Sequence, residues 1–220
     1  FHSTYRADIS LSLLQSAKAL KNRARVHLHT YTSEVIAEVV LYGKKQIAPG
    51  ESDFAQLRLA EPLLLLPGDR FITRQFSPVI TIGGGVVLDA TPTTRKQKSA
   101  EKILYPETLQ KEKPEEVLLA RVARRVHSGI SVPALIAETG WTPTQARGVV
   151  TSLQKAGKIV QAGDVLISAE VFRRNSDALL AAVLKFHNQN PLVGGINREA
   201  LREQLDLSAE VFAAVMEPLT

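Results

Sequence analysis

The sequence predicts a multidomain β + α protein, in which an antiparallel β-barrel or sandwich is followed by winged helix-turn-helix units. Three observations lead to this fold class. Short strand-like stretches with turn signals about every 8–12 residues fill positions 1–90. The stretch "TPTTRKQK" then interrupts the apolar pattern, and after it the apolar residues recur with a helical period.

The first ninety residues alternate as strands do. Within Ala24–Tyr31, Val26 and Leu28 alternate with His27 and His29, which is typical of a strand with one buried face. A short polar connection to the next β-branched stretch predicts a hairpin. The other strand-like stretches are 34–43, 52–62, 66–76 and 85–90.

The later region predicts helices in a repeated order. Pro114 and two glutamates open the first helix, and Ser131 and Thr142 are suitable N-caps for the next two. Residues 158–168 then form a hairpin, which completes a winged helix-turn-helix. Three more helices follow without a hairpin, and "SDALLAAVL" echoes "PEEVLLARV". This weak internal repeat predicts a second, incomplete copy.

The predicted domains are a barrel over 1–92, a basic linker over 93–113, a first winged helix over 114–170 and a second, C-terminally truncated winged helix over 171–220. The net charge of +5 favours polyanionic partners. The absence of cysteine excludes disulfides and thiolate metal sites. No apolar run approaches the roughly 20 residues that span a bilayer. Because the sequence starts without methionine and stops inside a helical pattern, we expect it to belong to a longer protein.

No pattern in the sequence is typical of catalysis or nucleotide binding. The run Gly83–Gly85 precedes valines rather than the lysine and hydroxyl residue of a phosphate loop, and its spacing does not fit a dinucleotide fingerprint. His27 and His29 share a strand face, but no carboxylate or third histidine is spaced to complete a metal site. We therefore predict no catalytic residue, no metal site and no cofactor in this chain.

The β region resembles a known family. The stretches "LKNRARVHLH", "EVIAEVVLYG", "APGESDFAQLRLAEPL" and "PGDRFITRQFSPVITIGGGVVLDA" are similar to domain III of the bacterial selenocysteine-specific elongation factors, the SelB family. The winged-helix units are similar to the start of that family's C-terminal extension. The resemblance covers essentially the whole chain and implies an elongation-factor-type antiparallel β-barrel followed by winged helices. At Tyr31 the family usually has glycine, so the turn there departs from the pattern.

The resemblance also implies a function. The full protein would deliver selenocysteinyl-tRNA to the ribosome at recoded UGA codons in the cytoplasm, without a membrane partner. GTP and Mg²⁺ would be bound by a GTPase domain that precedes this segment, so the segment itself would not be an enzyme. Later winged helices would bind the messenger RNA hairpin.

The resemblance places the T stem of the tRNA against this barrel, where shape and 2′-hydroxyl groups would be read. In this hypothesis the three glycines leave room for the RNA backbone, and Gly84→Val leaves the melting temperature nearly unchanged. Arg74 would neutralise a phosphate and Thr81 would donate a hydroxyl. The other hypothesis for the glycines is a bulge or a sharp barrel corner. The predicted RNA-binding residues are His27, His29, Arg74, Thr81, Gly83, Gly84 and Gly85.

Two other functions stay open at this point. One is a DNA-binding winged-helix regulator with a ligand-binding β-domain, although its third helix offers only Arg147, Lys155 and Lys158. The other is a structural spacer that binds no nucleic acid. A preference for tRNA over duplex DNA distinguishes the elongation factor from both.

Overall fold

The structure is a computed structural model that describes residues 2–92, 99–111 and 113–217. Contacts divide the chain into two compact units. One contains Phe1–Lys113 and Ala137–Gly140, and the other contains Pro114–Ile136 and Trp141–Thr220. The first unit is mainly a β-barrel, and the second is mainly helical with a small sheet.

The strands before the first helix are β1 (Thr4–Leu13), β2 (Leu20–Lys21), β3 (Ala24–Thr30), β4 (Ser33–Leu41), β5 (Gln46–Ile47), β6 (Ser52–Leu63), β7 (Arg70–Arg74) and β8 (Thr81–Asp89). A closed antiparallel barrel forms in the order β1-β6-β4-β3-β7-β8, and β8 pairs back to β1. The barrel confirms the predicted fold class for this region.

The barrel is held by the alternation that the sequence shows. Val26 and Leu28 of β3 are buried in the core, whereas His27 and His29 face outward. Strands β4 and β6 alternate in the same way, so one apolar core fills the barrel. Burying each of these aliphatic side chains contributes about 1.5–3 kcal/mol relative to leaving it in water.

Part of the predicted linker over 93–113 is helical. Residues 93–98 lie outside the described residues, but Ser99–Gln110 form helix α1, which packs against β1 and β8. Leu109 is buried there, and the Tyr105 hydroxyl donates a hydrogen bond to a carboxylate of β8. The linker prediction missed this helix because its charged residues obscure the few apolar positions that contact the barrel.

The chain after α1 forms α2 (Pro114–Ala123), β9 (Ile130–Ser131), α3 (Val132–Thr139), α4 (Pro143–Lys155), β10 (Ile159–Ala162), β11 (Val165–Ser168), α5 (Ala169–Gln189), α6 (Arg198–Gln204) and α7 (Ala209–Met216). Strands β9 to β11 make a small antiparallel sheet in the order β10-β11-β9. Helices α2 to α4, together with the hairpin of β10 and β11, form the predicted winged helix.

The structure contains the predicted helical repeat. The alignment of its two copies differs from the alignment that the match of "SDALLAAVL" to "PEEVLLARV" indicated. Thr142 and Ser208 are the N-caps of α4 and α7, and Gly140 and Asp206 both have positive φ two residues before those caps. The distance along the sequence from Thr142 to Ser208 is the same as that from Gly140 to Asp206. The match of "PEEVLLARV" to "SDALLAAVL" is four residues out of this register, because a shift of about one helical turn preserves an apolar stripe.

The two helical copies share a core. Ala162 and Ile167 of the first hairpin pack with Val171 and Leu179 of α5 and with Val211 of α7. The predicted boundary between residues 170 and 171 therefore lies inside the first turn of α5, and the two copies belong to one compact unit.

Candidate nucleic-acid interface

The outer side of three neighbouring strands brings together four of the predicted RNA-binding side chains. His27 of β3 pairs with Arg74 of β7, and Arg74 pairs with Thr81 of β8. His29 pairs with Ile72, whose side chain is also exposed. We call these five residues the β3–β7 face. Residues from three separate stretches of sequence meet there because the barrel places β7 between β3 and β8.

Glu34, at the start of β4, contacts both histidines. One carboxylate oxygen lies 2.7 Å from His27 Nδ1 and the other lies 3.8 Å from His29 Nδ1. Because an ionised carboxylate only accepts hydrogen bonds, His27 Nδ1 donates to Glu34, and Nε2 is the acceptor of the neutral ring.

The prediction that no carboxylate accompanies the histidines was therefore wrong. The missed signal is the two-residue turn after β3, which pairs His29 with Glu34 across the hairpin. Even with Glu34 present, no group of three or more His, Cys, Asp or Glu residues suited to a metal ion occurs among the described residues.

Phe76, in the connection after β7, extends the β3–β7 face with an aromatic ring. Its centroid lies 4.2 Å from that of His27, and its side chain is 42% exposed. Val79 and Ile80 of the same connection are exposed as well. The face thus combines a guanidinium and two imidazoles with uncovered apolar surface, which suits a ligand with both charged and flat parts.

Two nitrogen atoms of the β3–β7 face are buried without a hydrogen-bond partner in the described part of the chain. They are Nε of Arg74 and Nε2 of His29. An unsatisfied buried polar group costs about 1–3 kcal/mol. Both atoms are shielded from solvent, so they are not themselves contacts for a ligand that approaches from outside.

The structure gives the glycines of β8 an architectural reason. A Cβ on Gly83 or Gly85 would lie under 3.0 Å from a carbonyl oxygen of β1, and one on Gly84 would lie 2.6 Å from a carbonyl oxygen of β7. Side chains are excluded by neighbouring strands, so the missing side chains give no support for RNA contact. The expectation that Gly84→Val leaves the barrel intact does not fit this geometry. The register with β1 is regular at all three glycines, so the close approach of neighbouring backbones, rather than a bulge at these residues, accounts for them.

The turn between β3 and β4 explains why glycine would be favoured at the position of Tyr31. This residue has φ of 49°, a left-handed conformation in which glycine is favoured. The Tyr31 hydroxyl donates a 2.7 Å hydrogen bond to Asp69, and this bond together with the charge of Asp69 raises the pKa of the phenol. The bond to Asp69 helps to hold a side chain at a position that strains the backbone.

The chain matches two domains of one known family. Residues 7–94 match the family "Selenocysteine-specific elongation factor, beta-barrel domain", and residues 180–220 match "Elongation factor SelB, winged helix". The chain carries two domains of the SelB family. No helix among the described residues has the length and apolar character that crossing a membrane requires.

Full-length proteins of the SelB family extend well beyond this chain. It is 28% identical to the selenocysteine-specific elongation factor of Desulfomicrobium baculatum over 199 residues, which are 88% of this chain and 31% of that protein. It is 27% identical to the Escherichia coli (strain K12) factor of the same name over 190 residues, 86% of this chain and 28% of that protein. The chain thus spans about a third of the length of these SelB relatives.

A solved SelB-type structure has the same fold. The crystal structure of a bacterial selenocysteine-specific elongation factor EF-Sec superposes with a TM-score of 0.70 at 16% identity. The superposition covers 100% of this chain and 32% of that one. At this low identity, the comparison shows that the succession of barrel and winged-helix elements is common to both chains.

Proposed function

We propose that this chain is the tRNA-contacting barrel and the spacer winged-helix part of a factor that delivers selenocysteinyl-tRNA to the ribosome at recoded UGA codons in the cytoplasm. The match of residues 7–94 to the SelB barrel carries this proposal. GTP and Mg²⁺ would be bound outside these residues, since the sequence contains no phosphate loop. Further winged helices of the whole protein would bind the messenger RNA hairpin, and the chain itself would catalyse no reaction.

The β3–β7 face supplies the groups that such an RNA contact needs. Arg74 would place the positive charge of its guanidinium near a phosphate, and the neighbouring Thr81 is exposed and would offer its hydroxyl to a ribose. The Nε2 atom of His27 accepts a hydrogen bond from a 2′-hydroxyl when the ring is neutral. These groups read backbone and sugar rather than base edges, as expected for the outside of an RNA helix.

The carboxylate of Glu34 next to this face determines which residue would carry its positive charge. Glu34 neutralises part of the positive charge that protonated histidines would provide, since it lies within hydrogen-bonding distance of His27. Arg74 is then the main permanent cation of the face. Removing Arg74 should therefore weaken RNA binding more than removing a cation elsewhere on the barrel.

Fluorescence anisotropy of labelled selenocysteine tRNA with the 220-residue chain tests the proposal. The parent should bind this tRNA more tightly than a duplex DNA of similar charge. Arg74→Ala should weaken binding several-fold and lower the slope of log affinity against log salt by about one. Lys45→Ala is the matched control, because Lys45 is exposed in the connection between β4 and β5 and does not belong to the β3–β7 face.

Two outcomes would contradict the proposal. Equal effects of Arg74→Ala and Lys45→Ala would remove the β3–β7 face from the RNA contact. Tighter binding to duplex DNA than to tRNA would favour the winged-helix regulator instead. A circular dichroism spectrum of each variant verifies that lost binding does not come from unfolding.

A further inference from the structure

Helix α4 exposes one continuous polar stripe. Thr144, Gly148, Thr151 and Lys155 follow one another at spacings of four, three and four residues, so they lie on one side of the helix. All four are exposed, and Arg147 is exposed beside them. We call these five residues the α4 face. Its opposite side is buried in the core of the first winged helix.

The charged residues of the α4 face are all basic, although the carboxylate of Glu115 in α2 lies beside the face, where it accepts a 2.6 Å hydrogen bond from Ser152. Between Trp141 and Gly163 the chain carries Arg147, Lys155 and Lys158 but neither aspartate nor glutamate. The exposed residues are otherwise short or uncharged, and no large apolar side chain of this face is exposed. This composition suits a polyanion and offers little to an apolar protein surface.

The equivalent helix of the second copy has the opposite character. In the register set by the N-caps, Thr144 and Thr151 of α4 correspond to Glu210 and Glu217 at α7. Helix α7 carries no basic residue in its last turn. The scaffold is the same in both copies, so its requirements do not explain why only α4 is free of acidic residues.

Gly148 lies in the middle of the α4 face without a structural reason. A Cβ at this position would meet no atom within 4 Å. Glycine inside a helix costs about 1 kcal/mol relative to alanine. Neither a close neighbour nor a positive φ requires glycine here. The missing side chain leaves helix backbone open to something that comes from outside the chain.

We propose that the α4 face binds the sugar-phosphate backbone of duplex RNA. Arg147, Lys155 and Lys158 neutralise phosphates, and the hydroxyls of Thr144 and Thr151 contact ribose. The wide, shallow minor groove of A-form RNA presents 2′-hydroxyls to such a face, whereas DNA has none. This site is separate from the barrel contact of the proposed function, so the chain holds RNA at two places.

Anisotropy with a fluorescein-labelled RNA duplex of about 16 base pairs tests this inference. The assay uses the 220-residue chain carrying Arg74→Ala, which suppresses the barrel contribution. Gly148→Gln in that chain should weaken RNA binding about tenfold, a change of about 1.4 kcal/mol. The same substitution should raise the melting temperature, because glutamine is a better helix former and the space is open. A purely structural role for Gly148 does not give these opposite effects.

The double variant Arg147→Ala/Lys155→Ala provides a second measurement. It should lower the salt slope by about two, whereas Lys185→Ala on the exposed side of α5 should leave binding unchanged. If Gly148→Gln lowers the melting temperature, its effect on binding could come from unfolding, and the double variant then tests the proposal. The proposal is overturned if the double variant binds as tightly as its parent, if the parent binds no duplex RNA at low salt, or if the same duplex made of DNA binds equally well.

Discussion

Glycine residues have opposite surroundings in the barrel and in the helical unit. Along β8, Gly83, Gly84 and Gly85 are glycine because the backbones of β1 and β7 leave no space for a side chain. In α4, Gly148 has open space around it and no neighbour that excludes a side chain. The interior of the fold requires the three barrel glycines, whereas no neighbour in the described part of the chain requires glycine at position 148.

The difference follows from where each architecture makes its backbone hydrogen bonds: between strands in the barrel and within one segment in a helix. A closed barrel brings three strands side by side, so the space at a strand residue is set by chains distant in sequence. An α-helix satisfies its backbone hydrogen bonds by itself, so its exposed side faces only solvent or a partner. The surroundings, rather than the residue type, therefore decide what a glycine indicates.

The largest expected effect is at Gly85. Gly85→Val should destabilise the barrel by more than about 4 kcal/mol, since the new side chain would meet a backbone carbonyl of β1 and the ring of Phe71. Urea denaturation followed by circular dichroism measures this loss. Gly68→Ala is a useful control because a Cβ there meets no atom within 4 Å, although its φ of 92° adds strain. A Gly85→Val variant as stable as the parent would break the comparison.

A leucine pair tests the same principle without glycine. Leu118 of α2 is fully buried with Ile159 and Leu166 of the first hairpin, whereas Leu184, its counterpart in the second copy, is 63% exposed. Leu118→Ala should cost about 3 kcal/mol. Leu184→Ala should change the free energy of unfolding by less than about 0.5 kcal/mol. Similar losses for both would show that Leu184 has a cover that its exposure does not reveal.

The smallest difference from the parent that we expect at a glycine is a gain in stability. Gly148→Ala should stabilise the helical unit by about 0.5–1 kcal/mol, because alanine loses less backbone entropy and finds open space. Thermal denaturation monitored at 222 nm measures the shift, and Gly84→Ala provides the matched substitution in the barrel. The comparison between the two regions requires changes of opposite sign, so a loss at both positions would refute it.

Much of the fold could be predicted from local patterns. The alternation around His27 and His29 determined a strand with an outer polar face, and the N-cap residues Thr142 and Ser208 marked the start of two helices. These features depend on neighbours a few residues apart, where side-chain period and capping chemistry act directly. The glycine-rich stretch after β7 was specific enough to indicate the SelB family.

Other features were decided only by the tertiary structure. The sequence could not show that Glu34 contacts both histidines, that Tyr105 anchors α1 on the barrel, or that carbonyls of β1 and β7 exclude side chains from β8. It also left the helical repeat ambiguous by one turn. Each of these depends on groups brought together across strands or between elements, and the local period of a sequence carries no information about which distant backbone will lie beside it.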